Sequence, residues 1–266
     1  VAAAPPRPWE LLGDLWWPRR RSAAGVGEVI VMVQRPKRSI LPLPDLMKRR
    51  VLQPTAPVLN GSFLIGERET DGELLYLNIF GENGGQPQHG PHTLIAGESG
   101  GGKGVLTRNI LLDLFATNSP RNVRVRFIDP KFGGDYPWLR RMPHVDGGIV
   151  DNQQEAMEVL DGLVEEMERR YREIMKVGSN IDRYNAKVEP DARLPRLFLF
   201  HDEIGDWMSD AAGGDYRDAV AGHVVRLASK ARAAGIHLVL ATQRPSVDVV
   251  TGLIKTNVPS RLAFAT

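Results

Sequence analysis

Apolar and polar positions along this chain follow two rhythms, and the switches between them outline its elements. "GELLYLNIF" (72–80) alternates apolar with polar as a strand does, and "HTLIAG" (92–97) is a short run suited to a strand buried on both faces. Over 103–117, Val105, Leu106, Ile110, Leu111, Leu114 and Phe115 recur at helical spacing. "VRVRFID" (123–129) predicts another strand. The longest periodic segment, 152–177, sets Ala156, Val159, Leu160, Leu163, Val164, Met167, Tyr171 and Ile174 along one side of a helix. "RLFLFHDE" (196–203) predicts a buried strand, 216–234 a helix, and "IHLVLAT" (236–242) a further strand. Short apolar strands alternating with longer helices predict an α/β fold, its sheet mostly parallel and covered on both faces.

The first 57 residues read differently. Proline-rich stretches ("AAAPPRPWE", "RSILPLPDL") surround one predicted strand at 28–34. They predict a linker or small annex over 1–57, ahead of a folded domain over 58–266. "WELLGDLWWPRRR" places Trp9, Leu12, Trp16 and Trp17 near one helical face; a short helix packed on the main domain is the expected form, and a membrane-surface or partner-docking helix is the alternative. Charge is concentrated here: ten Lys/Arg stand against four Asp/Glu, although the 266 residues together carry only +2. "PRRRS" (18–22) and "KRR" (48–50) are either contacts for an anionic partner or the charges of a solvated linker.

Composition excludes several classes. There is no cysteine, so neither disulfides nor thiolate metal sites are available, and a reducing cytoplasm fits. The longest apolar runs, such as "VIVMV" (29–33), are strand-sized, far below the ~20 residues of a membrane helix. The chain begins with Val and shows no signal-peptide pattern, which predicts a fragment of something longer.

The chemistry starts at "GESGGGKGV" (97–105), between a predicted strand and a predicted helix. Gly97, Gly102 and Lys103 match the G-x-x-x-x-G-K core of a phosphate-binding loop. Its glycines let backbone N–H groups wrap a phosphate, and the helix N-terminus favours negative charge. Lys103 adds a point charge for the β/γ oxygens. Gly97, Glu98, Ser99, Gly100, Gly101, Gly102, Lys103, Gly104 and Val105 are therefore the expected ATP contacts.

Two further strand ends bring polar groups to the same place. "LFLFHDE" finishes on Asp202 and Glu203; the first suits the Mg²⁺ shell, the second an attacking water. "HLVLATQRPS" (237–246) delivers Thr242 and Gln243 to the same sheet edge, where Gln243 could sense a γ-phosphate.

"GIHLVLATQRPSVDVVTGLIKTNVPSRLAF" (235–264) closely resembles the corresponding block of FtsK/SpoIIIE-type DNA translocases. "RFIDPK" (126–131), "EEMERRYREIM" (165–175), "NIDRYN" (180–185), "HDEIGDWM" (201–208) and "KARAAGIH" (230–237) are similar to that family in the same order, and the likeness runs from about 90 to 266. The resemblance implies a RecA-like motor domain that assembles as a ring, usually a hexamer, around double-stranded DNA. ATP hydrolysis at subunit interfaces would drive it, with Lys103, Glu203 and Gln243 as catalytic groups and Asp202 on the metal. Arg244, Lys255 and Arg261 are the nearest basic candidates for DNA or interface contacts. A cytoplasmic location follows, at the inner face of the membrane if an anchor lies outside this chain.

Two departures from the family pattern stand out. The loop lysine is followed there by Ser or Thr, whose hydroxyl ligates Mg²⁺; Gly104 has no side chain, so water must replace that ligand and slowed hydrolysis is expected. The chain also stops at "AFAT", where the family continues, which predicts a domain truncated at its C-terminus. Alternative readings are a nucleotide-binding ring subunit without turnover and an ATPase of type VII protein secretion.

Overall fold

Six parallel strands set the frame. Two antiparallel strands, β1 (Ser62–Glu67) and β2 (Leu74–Asn78), precede them as a hairpin with a bulge between Leu64 and Gly66. The main sheet has β3 (Thr93–Ala96), β4 (Val123–Ile128), β5 (Val145–Val150), β6 (Arg196–His201), β7 (Ile236–Thr242) and β8 (Ser260–Ala263) in the order β5-β4-β6-β7-β3-β8. The computed structural model describes residues 42–50, 59–80, 88–208, 213–246, 249 and 251–264, all but Pro42 within the unit Leu43–Thr266. The strand expected at 28–34, the tryptophan helix and the "PRRRS" cluster lie outside the described residues.

Alternation along the strands sorts the core into two layers. Leu199 of β6 and Leu238 and Leu240 of β7 face one side, with Ile128. They pack there against α3 (Gln153–Val177) and α6 (Gly214–Lys230) through Leu160, Leu163, Met167, Val220, Val224 and Leu227. Phe198, Phe200, Val239 and Ala241 face the other side, with Val123, Val125 and Phe127 of β4. That layer is closed by α2 (Lys103–Thr117), using Leu106, Ile110, Leu111 and Leu114, and by Phe63 and Leu77 of the hairpin. Strands buried on both faces have no polar side to show, which is why β6 and β7 read as unbroken apolar runs.

Smaller helices complete the unit: α1 (Leu43–Arg49), α4 (Ile181–Asn185), α5 (Ile204–Trp207) and α7 (Gly252–Asn257). The start of α3 is fixed by Asn152, whose side chain accepts the Glu155 N–H at 3.0 Å. Leu46 of α1 is buried with Leu64 and Tyr76 of the hairpin. The "KRR" cluster is spoken for. Lys48 pairs with Asp45, Arg49 with Glu67, and Arg50 with Asp113 in a pair buried at both ends. Among the described residues no helix is long and apolar enough to cross a membrane.

Candidate functional site

Every strand of the main sheet runs the same way, so the residues following β3, β4, β6 and β7 share one edge. Open parallel sheets bind ligands at that edge. After β3, the chain turns through Gly100 and Gly102, both in the left-handed region at φ 78° and 108°. Gly102 has a second constraint: a Cβ there would sit 3.2 Å from the Phe264 ring. Lys103 then begins α2, buried, with its ammonium donating to the Gly97 carbonyl at 2.6 Å and the Glu98 carbonyl at 3.1 Å. The loop is thus drawn around its own lysine.

The facing wall comes from β6. Glu203, just past its end, is 3% exposed and adopts φ 56°, a strained choice for a residue with a side chain. Its carboxylate accepts the Gln243 backbone N–H at 2.8 Å and lies 3.8 Å from the Lys131 ammonium. Thr242 is fully buried beside it and accepts the Arg244 N–H at 3.1 Å. Burial first, and the neighbouring Asp129 next, push Asp202 up to about 6. Burial likewise raises Asp129 and lowers Lys103, the latter opposed by Glu203 and Asp202. Burial thus disfavours the charged form of both carboxylates and of the lysine.

Between the walls is a cavity of about 320 Å³ lined by Ser99, Gly100, Gly102, Lys103, Gly104, Val105, Asp202, Glu203 and Gln243, with Arg108, Asp129, Lys131 and Asp135. The expected phosphate, acid and sensor residues meet there, while Gly97 and Glu98 contribute the carbonyls that hold Lys103. Val105, placed by periodicity on the buried face of its helix, is instead 59% exposed and lines the cavity. Arg244, Lys255 and Arg261 are not among the lining residues. Arg261 donates to the Lys255 carbonyl at 2.6 Å, and Arg244 is exposed just past β7.

Asp129 and Lys131, from the segment after β4, also line the cavity, and the Tyr136 hydroxyl lies 3.7 Å from where a Cβ on Gly104 would sit; none of the three is among the expected site residues. "RFIDPK" carried a signal for the first two, a strand ending on an acid and a base as β6 ends on two acids. Among the described residues no group of three or more acidic or histidine side chains is placed to hold a metal by itself. Magnesium sites commonly need only one or two carboxylates, the rest of the shell coming from phosphate and water, and Asp202 fits that pattern.

The family model described as FtsK/SpoIIIE matches residues 78–247. A DNA translocase FtsK of Mycobacterium leprae (strain TN) is 46% identical over 189 residues, covering 66% of this chain and 22% of that protein. A DNA translocase SftA of Bacillus subtilis (strain 168) is 44% identical over 179 residues, covering 66% and 18%. The chain thus matches about a fifth of the length of these relatives. Among solved structures, the pCW3 conjugation coupling protein TcpA with ATPγS superposes with a TM-score of 0.63 at 28% identity, over 76% of this chain and 54% of that one. The cytoplasmic domain of the Thermomonospora curvata type VII secretion ATPase EccC gives a TM-score of 0.63 at 26% identity, over 84% and 25%.

Proposed function

Because the chain belongs to the FtsK/SpoIIIE family, we propose that it is the ATP-hydrolysing motor segment of a protein that moves double-stranded DNA and works as a ring. The observation that carries this reading is the meeting of Lys103, Asp202, Glu203 and Gln243 around one cavity at the carboxyl edge of a RecA-like sheet. The identity of 44–46% to relatives named DNA translocases favours DNA over protein as the cargo. Among the solved structures the conjugation coupling protein and the secretion ATPase stand level, at 28% and 26% identity, so the preference rests on the named sequence relatives.

In this reading the loop amides and Lys103 hold the β- and γ-phosphates, the lysine exchanging its two carbonyl partners for phosphate oxygens. Asp202 holds hydrated Mg²⁺, which when bound neutralises charge building on those oxygens. Glu203, fixed by the Gln243 N–H, aligns the attacking water and takes its proton. The side chain of Gln243, the residue whose own N–H makes that clamp, faces the terminal phosphate. An arginine from an adjoining protomer completes the charge balance, so chemistry depends on ring assembly. Arg244, Lys255 and Arg261 make phosphate contacts to DNA, which read no sequence and weaken with salt.

Steady-state ATP hydrolysis by the parent polypeptide, with and without long double-stranded DNA, tests the proposal. Strong stimulation by DNA is expected. Hydrolysis indifferent to DNA but raised by a secretion-signal peptide would transfer the site to protein export, and tight ATP binding without turnover would make the chain a scaffold.

A further inference from the structure

The cavity carries a second lysine. Lys131, from the segment after β4, lines it together with Lys103, and its ammonium lies 3.8 Å from Glu203 Oε2. The other oxygen of that carboxylate is committed: Oε1 accepts the Gln243 N–H at 2.8 Å and the Thr242 hydroxyl at 3.4 Å. Lys131 therefore faces the oxygen of Glu203 that no hydrogen bond among the described residues occupies, the one available to a water.

The place of this lysine is built into the chain. Asp129, 1% exposed, accepts the Lys131 N–H through Oδ1 at 2.9 Å and the Phe132 N–H through its carbonyl at 3.2 Å. Asp129 is tied in turn to β5, its N–H donating to the Val150 carbonyl at 2.8 Å. Phe132 adopts φ 62°, and among the described residues Glu203 alone shares that choice without being glycine. Left-handed backbone on a residue with a side chain is strained and persists where the surroundings over-determine it. The strain here falls on both sides of the Lys131–Glu203 pair.

The pair itself is loose. A charge-assisted hydrogen bond closes to about 2.7–2.9 Å, and at 3.8 Å the ammonium attracts the carboxylate without bonding it. Half of the Lys131 side chain is exposed, so it can turn to another anion. Geometry decides which one. Glu203 aligns the water that attacks the terminal phosphorus, so a cation beside Glu203 stands at the terminal phosphate. Gln243 offers that phosphate a neutral amide; Lys131 offers a charge. ADP has no group there.

Resting on the nucleotide reading above, we infer that Lys131 is the cation that distinguishes ATP from ADP: it pairs with Glu203 when the terminal phosphate is absent and with that phosphate when ATP is bound. The exchange supplies a differential affinity, without which no ligand shifts an equilibrium. It also frees the Glu203 oxygen for water only when there is a phosphate to attack.

The test is isothermal titration of ATPγS and of ADP, both with Mg²⁺, into the full polypeptide as parent, Lys131→Met, Glu203→Gln and the double variant. Methionine keeps an unbranched stem and removes the charge. Lys131→Met should weaken ATPγS about tenfold, the order of one hydrogen bond to a charged group, and leave ADP within about twofold. Glu203→Gln removes the carboxylate that needs a counter-charge, so the double variant should melt with Glu203→Gln. In that background Lys131→Met should still cost ATPγS about tenfold, which separates a phosphate contact from charge balance at Glu203. An equal loss for ADP or an unchanged affinity for ATPγS overturns the inference. So does a loss that vanishes in the Glu203→Gln background, which would leave Lys131 as the counter-charge of Glu203 and nothing more. A parent that binds neither nucleotide overturns the reading beneath it instead.

Discussion

Glu203 and Gln243 are joined by a 2.8 Å bond from the Gln243 backbone N–H to the Glu203 carboxylate. It ties the ends of β6 and β7 across forty residues of chain, and the donor is main chain, so the residue type at 243 does not matter to it. The proposed base and the proposed γ-phosphate sensor therefore cannot move independently.

Glu203→Gln keeps an oxygen for that N–H and gives up the proton acceptor. ATP hydrolysis should fall roughly 10²- to 10⁴-fold, the range for loss of a general base. ATP affinity should stay within about threefold. Single-turnover hydrolysis beside equilibrium binding separates the two, and a parallel loss of both would place Glu203 in the scaffold.

Lys103→Ala removes the group that meets both the loop carbonyls and, as proposed, the phosphates. Affinity for ATP should drop on the order of 100-fold, from charge-assisted bonds worth about 3 kcal/mol. Isothermal titration checks this; an unchanged affinity would mean that the loop binds no triphosphate.

Arg50 and Asp113 are an ion pair with side chains 1% and 0% exposed, and Asp113 also accepts the Leu64 N–H at 2.7 Å. Arg50→Met leaves that carboxylate buried and without its counter-charge. A loss of about 3–5 kcal/mol is expected in urea unfolding at neutral pH. A loss under 1 kcal/mol would show that water reaches Asp113.

His92 is buried, and its ring nitrogen accepts the Leu238 N–H at 3.1 Å. Burial first, and Arg232 next, lower its pKa to about 4. The unfolded chain binds a proton near pH 6.5 that the fold refuses, so this contribution is complete above 6.5 and is lost as pH falls toward 4. Buried carboxylates such as Asp202, with raised pKa values, work in the opposite sense, so the readout must be a difference. Between pH 7 and 4.5 the parent should lose about 2–3 kcal/mol more than His92→Asn, which keeps an acceptor for Leu238. Equal losses would mean that His92 takes up its proton as readily in the fold as in the unfolded chain.

Much of this fold was legible because its central strands are buried on both faces and its long helices on one. The periodic residues of 103–117 and 152–177 define α2 and α3 to within a residue. The edge strands were not legible. β5 has only Val150 buried and carries Gly147 and Gly148 at positive φ, so it shows neither alternation nor an apolar run. β8 is four residues long and has one buried position. At the site, Lys103, Asp202, Glu203 and Gln243 each follow a strand, which is a local signal. Tyr136 has none: nothing in the spacing of 104 and 136 says that they meet, and only the crossing of α2 over the sheet brings them together.

The Lys103 ammonium, buried and bonded to two carbonyls of its own loop, has a kinetic consequence. A buried cation without a partner is expensive, and a site that relied on ATP alone to neutralise it would hold on to spent nucleotide. If the site turns over ATP as proposed, a departing phosphate would be replaced at once from within the loop, and the lysine would be a latch with two seats, never left bare between nucleotides.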